Sequence, residues 1–476
     1  STTAVEKKNS HDNTVTITGG SIGNVYGGYT AAADGTTNRN TVTLAGGTVT
    51  GTVSGGNRTA DGNTLNVGAA ATVGRVENFE KVAFKDAASK LTLTDTGTFN
   101  LDTLVTNFEA TANPVTLVES ANALTLAGGK AFKSELNADG TQETDLDVRG
   151  GKKIVRYAYT FAGAKAATTV GADTWGGRSV IGNTTTGNEI TVTSGTHNVV
   201  YGGWTRGASS QTATADKGNS TYNKVTVDGT ETVSEDVYGG MTTVADGKAS
   251  HNEVTINEGV TLNDSRYVYG GSATSGSSVD NNKVYLNGIR IPGTVYGGSI
   301  GLGTANGNEV HLNGATVTGS VYGGAANGTG NLLSVKGVNR AGKIAGFQKL
   351  HFDATGVAAG QHMLTITDTA NRTALDWNAL TATGTARGID LIYHEKGIDL
   401  SHYTAGSVKS ALSADGKSEY DIEAVDEGGT VKRIAYNSYQ FKDARTAETV
   451  GGETWGGRSR VGNTTTGNEI TVTSGT

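Results

Sequence analysis

The sequence predicts an all-β chain wound as a parallel β-helix, a solenoid with β-hairpin-containing interruptions. Three observations carry this. The phrase Val-Tyr-Gly-Gly recurs at Val25, Val200, Val237, Val268, Val295 and Val321. An Asn stands about 13 to 17 positions before each Tyr and opens a run that alternates polar and apolar residues. From Tyr201 onward the Tyr copies follow one another at intervals of 26 to 37 residues. That period is one solenoid turn of several short strands.

The alternating run is the first wall. Asn13, Asn40, Asn188, Asn223, Asn252, Asn282 and Asn308 each open one, and Asn63, Asn331 and Asn468 open three more. Period two puts Val15 and Ile17 on one face and Thr14 and Thr16 on the other, the pattern of a half-buried strand. Stacked turns would set Asn over Asn, giving a ladder of side-chain amides. A Gly turn, a short second strand such as 315–317, and then the Val-Tyr strand complete the turn. Tyr26, Tyr201, Tyr238, Tyr269, Tyr296 and Tyr322 should stack along that last wall. Variants of the phrase stand at Val53, Thr174 and Thr454, and Trp175 and Trp455 take the Tyr place in the last two. We expect these Trp, with Trp204, to anchor caps or turns; sugar platforms are the alternative. The paired glycines are expected to end the strand through backbone angles that a Cβ forbids.

Composition agrees. Of 476 residues 71 are Gly, 2 are Pro and none is Cys, and charged residues make up 17%. Loops of Gly, Thr, Ser and Asn around a Val/Ile/Leu core account for this. The net charge of −7 is spread along the chain, and no basic cluster points to nucleic acid. No apolar run approaches the ~20 residues of a membrane span.

Along the chain, coils fill 1–67. A divergent β segment with a hairpin follows over 68–167, where 76–84, 91–93 and 98–101 read as further wall strands and Thr144 to Tyr159 as a hairpin projecting from the rod or packing beside it. Coils return over 168–336. A second divergent segment spans 337–447, with Phe347 matching Phe79 and a hairpin from Glu419 to Tyr436. Residues 448–476 start another block, since 449–476 nearly repeats 169–196, displaced by 280 positions. The expectation is a slice of a longer chain, its end a joint that either continues covalently or is capped by another chain.

The Asn-Thr-Val-Thr-Leu and Val-Tyr-Gly-Gly units, together with Asn78-Phe-Glu-Lys-Val-Ala-Phe84, resemble passenger regions of bacterial autotransporters, in particular very large repetitive surface proteins. The resemblance covers most of the chain. It implies a right-handed β-helix, exported through an outer-membrane barrel and displayed outside the cell.

Little chemistry is expected. The His-containing stretch from His394 to His402 lacks the spacing of a zinc site. The Asp-Gly pairs are common tight turns, and the calcium nonapeptide is missing. Glu189, Lys224, Glu253, Lys283 and Glu309 share one slot and alternate in sign, as a solvated ladder would. The expectation is therefore a non-enzymatic rod or fibre segment without cofactor or metal. Its partners would be itself, along a fibre axis, and a host-surface or glycan ligand. A carbohydrate-active β-helix enzyme and a trimeric phage tail spike are the rival readings.

Overall fold

A computed structural model describes residues 8–473 apart from 59–60, 107, 109–112, 138–139, 209–210, 264, 275, 277, 325–327 and 451. The expected β-solenoid is present, about 14 turns in all. The chain divides into two compact units, Ser1–Tyr159 and Thr160–Thr476.

In the second unit the first wall is one parallel sheet of eight strands, from Glu189–Val192 through Lys224–Val227 and Glu253–Ile256 to Leu380–Thr383. Successive strands pair with identical positions opposite one another, Val225 to Val254 to Val284 to Val310. These inward Val residues are fully buried. Each strand alternates buried and half-buried residues, so the period-two pattern fixes the register: a slip of one residue would turn the core face outward. The Val-Tyr strands form a second parallel wall, from Asp173–Ser179 to Ile389–His394. Short strands such as Thr196–His197, Thr232–Val233 and Thr261–Leu262 make the third side. In later coils the third side and the Val-Tyr strand fuse, as in Thr316–Tyr322.

The first unit repeats this plan. Thr14–Ile17, Thr41–Leu44, Thr64–Val67, Lys81–Phe84 and Leu104–Thr106 stack in parallel. Lys81–Phe84 and Leu91–Leu93 are wall strands, as their sequence suggested, so the divergent segments are coils too, with Phe84 and Leu91 filling the core.

Both hairpins form, and neither projects. Ser418–Asp426 and Val431–Gln440 pair antiparallel. Val431–Gln440 also pairs antiparallel with Ile389–His394, the last parallel strand of the Val-Tyr wall. In the first unit Lys153–Thr160 pairs antiparallel with Val115–Ser120, and Gln142–Arg149 lies next to it. Each hairpin thus continues the wall in the opposite sense and covers an edge that would otherwise present unpaired backbone groups. Inside the second unit Tyr436 is fully buried beneath this cover, and its hydroxyl donates to the Gly384 carbonyl at 2.7 Å.

The glycine expectation needs correction. Gly239 and Gly240 lie inside the strand Val237–Thr242 and do not end it, although Val25–Gly28 does end at its second glycine and Thr316–Tyr322 stops just before Gly323. The paired glycines of the Val-Tyr phrases have no positive φ; Gly297, for example, is required because a Cβ there would stand 2.6 Å from the Gly323 carbonyl oxygen and 3.0 Å from Asn308 Cβ. Close approach of one coil to the next, and to the Asn column, excludes the side chain.

Candidate functional site

The Asn column forms a hydrogen-bonded ladder within each unit, buried from Asn188 to Asn331. In the second unit Asn188 Nδ2 donates to Asn223 Oδ1 at 2.7 Å, and the same bond runs from Asn223 to Asn252, Asn252 to Asn282 and Asn282 to Asn308, each at 3.0 Å. The backbone N–H of each Asn donates to the same oxygen, as Asn252 does to Asn282 at 2.9 Å. The second amide hydrogen reaches a carbonyl on the chain's way round, Ser220 for Asn252 and Ala249 for Asn282. Asn is the side chain with the required donors and acceptor on so short a stem. In the first unit Asn13 donates to Asn40 at 2.7 Å and Asn40 to Asn63 at 3.3 Å. Each ladder has a terminator that the sequence reading missed. The Asn63 N–H donates to Glu80 Oε2 at 2.7 Å, and the Asn331 N–H to Gln348 Oε1 at 3.0 Å. The match between the two divergent segments at these positions was the available signal.

The Tyr column also forms in the second unit. Rings of Tyr201, Tyr238, Tyr269, Tyr296 and Tyr322 stack with centroids 4.7 to 5.1 Å apart. Trp175 lies parallel to Tyr201 at 6.4 Å. Burial pushes the Tyr201 phenol up to about 12 and raises those of Tyr238 and Tyr269 as well. Tyr26 stands apart: it is opposite Ser54 in register and rests edge-on against Tyr29 at 6.0 Å. Beside Trp455 the Arg458 guanidinium lies 4.4 Å from its ring and 4.0 Å from that of Tyr439.

Asn468 makes the contacts of its copy. It accepts from the Ala444 N–H at 2.9 Å and donates to the Phe441 carbonyl at 3.0 Å, as Asn188 does with Ala164 and Phe161. Residues 469–472, which copy the strand Glu189–Val192, are not in a strand. A wall strand is held by the neighbouring coil, as Glu189–Val192 is by Lys224–Val227. The end of that stretch, 474–476, lies outside the described residues.

Four of the five alternating charges pair along the column, Lys224 with Glu253 at 3.1 Å and Lys283 with Glu309 at 3.4 Å, while Glu189 pairs with Lys165 at 3.0 Å. Such half-exposed pairs are worth about 0–1 kcal/mol each. His394 is buried between the Thr373 hydroxyl at 3.2 Å and the Asp368 carbonyl at 2.8 Å. Among the described residues no three His, Asp or Glu side chains converge as a metal site would need.

Two carboxylates do lie together, Glu419 and Asp421, both buried on Ser418–Asp426. Burial opposes ionisation of both. In Glu419 it is outweighed by the Ser459 hydroxyl, the Arg460 N–H and the Asn463 amide, which hold that carboxyl low. In Asp421 burial dominates and the pKa is pushed up to about 6. The partners of Glu419 tie the hairpin to residues 459–463, whereas Asp421 accepts from the Ser410 hydroxyl on the adjacent strand.

Another buried acid, Glu231, has no such side-chain partners. Glu231 stands one residue before Thr232, the place Val260 fills in the next coil, and neither of its oxygens has a side-chain hydrogen-bond partner among the described residues. Burial raises its pKa. The contribution of a raised acid is present in full below its unfolded value of 4.5 and is lost as pH rises through the folded value. Glu231→Val should therefore stabilise the chain at pH 8 by about 1–3 kcal/mol and by much less at pH 4, measured by urea unfolding at both. Equal effects at the two pH values would refute a buried charge there.

The outer face of the first wall carries one feature the sequence reading did not pick out. Its middle outward positions are Thr191, Thr226 and Thr255 in the first three coils, then Tyr285, His311, Ser334, His351 and Thr381 in register. An open groove of about 460 Å³ runs over these later coils. The switch from Thr to large rings at one repeat position was the signal. No protein family, curated protein or solved structure matches the chain.

Proposed function

We propose that the chain is a segment of an extracellular structural and adhesive β-solenoid, displayed on a bacterial surface as an autotransporter passenger region is. The observation that supports this best is the pair of ladders, Asn188 to Asn331 and Tyr201 to Tyr322, which join coil to coil throughout the repeat block. Such a wall is stiff, assembles one coil on the last, and extends along its axis by more coils of the same kind. A chain without Cys can be exported unfolded and still fold outside. In this reading the segment has no catalytic part, and the buried Glu419 serves the hairpin joint through the Ser459 hydroxyl. Antibodies against the chain should label intact cells of the organism that makes it, and brief protease treatment of those cells should remove the label. Labelling that needs lysis overturns surface display.

A further inference from the structure

We propose that the groove on the outer face of the first wall binds a neutral glycan, about two sugar rings long. The proposal deepens the adhesive part of the reading above, and its failure would leave the structural part standing.

The groove has a definite cause. Tyr285 and His311 stack at 4.5 Å, and His351 stands two coils beyond His311 in the same column. Between the two imidazoles lies only Ser334. Two coil steps separate the His backbones by about 10 Å, so the missing side chain leaves a slot the width of one sugar ring. The rings on either side are held. His311 Nε2 is 2.8 Å from Glu309 Oε2, the other oxygen of that carboxylate pairs with Lys283, and His351 Nδ1 is 3.1 Å from the Thr381 hydroxyl.

The next outward column supplies the polar edge. Asn287 Nδ2 donates to Asn257 at 2.9 Å and Asn313 Nδ2 to Asn287 at 3.5 Å, followed in register by Lys336 and Asp353. Planar amides beside aromatic faces match a ligand with apolar ring faces and a rim of hydroxyls, each both donor and acceptor. The charge balance argues against an anion. Lys336 lies 3.7 Å from Asp353, and Glu309 neighbours His311. The corresponding column of the first unit carries no ring, reading Thr16, Thr43, Asn66, Ala83 and Val105.

The test presents the whole chain to immobilised di- to tetrasaccharides, neutral, sialylated and sulfated. Retention of at least one neutral glycan is expected. Ser334→Trp, which fills the slot from the surface, and Asn313→Ala should each weaken it tenfold or more. Thr226→Trp, in the same column four coils away, should leave it unchanged. Unaltered circular dichroism and melting temperature would certify that the variants fold. The proposal is overturned if no glycan is retained, if only sialylated or sulfated glycans are retained, or if Ser334→Trp binds as the parent does.

Discussion

Asn252→Ala should cost about 3–5 kcal/mol, the largest loss expected of any single polar substitution in the repeat block. Asn252 Oδ1 accepts from both the N–H and the Nδ2 of Asn223 at 3.0 Å, and its own Nδ2 donates to the Ser220 carbonyl at 2.9 Å and to Asn282 Oδ1 at 3.0 Å. Asn223 and Asn252 are buried, so water cannot replace the lost partners. Two donors on Asn223 and an acceptor on Ser220 would each lose a bond, at roughly 1–3 kcal/mol apiece before relaxation. Asn252→Asp keeps the acceptor, loses the donors and buries a charge, and should be no better at pH 7. Asn13→Ala is the control: Asn13 is exposed and its loss should cost about 1 kcal/mol or less. Urea unfolding measures both, and amide hydrogen exchange at Asn223 reports whether the damage is local. A loss under about 1 kcal/mol for Asn252→Ala would mean that the ladder records the fold without stabilising it.

Gly297→Ala should cost about 3 kcal/mol, although Ala differs from Gly by one carbon. The new Cβ would meet the Gly323 carbonyl oxygen at 2.6 Å and Asn308 Cβ at 3.0 Å, both parts of neighbouring backbone or its first side-chain atom. Neither can swing aside, so the coil must shift, and it shifts against the Asn ladder. Gly356 provides the comparison. It has φ +78°, and nothing lies within 4 Å of the place a Cβ would take, so Gly356→Ala carries conformational strain alone, about 1–2 kcal/mol. Thermal unfolding of the two variants side by side distinguishes packing from strain. If Gly297→Ala proves no worse than Gly356→Ala, the close-approach explanation of the Gly-Gly phrase fails.

The two substitutions explain why Asn and Gly-Gly travel together through the repeat. The Asn side chain that opens a coil presses on the glycines of the Val-Tyr strand just before it: a Cβ on Gly298 would stand 2.7 Å from Asn308 Nδ2. Val supplies the core, Tyr the outer stack, and the glycines the space in which the ladder fits.

The sequence by itself determined the winding, the walls and their register. Period-two runs such as Glu253–Ile256 have one face that can be buried, and their recurrence at one-turn spacing leaves each Val only another Val to lie on. The Asn and Tyr columns of the second unit follow from that register, so they were legible residue by residue. Three things were decided only by tertiary structure. The function of Gly-Gly depends on what the adjacent coil places close to each Cα, which no local angle preference encodes. The hairpins could be recognised from their own alternation, but whether they project or extend the wall depends on the partner strand, Ile389–His394, and on the edge it leaves open. The groove arises from a small residue, Ser334, between His311 and His351, residues 23 and 17 positions away in the chain that the winding brings one coil step to either side. A period fixes which residues become neighbours; the shape of the surface depends on the sizes of side chains that are neighbours only after the chain has wound.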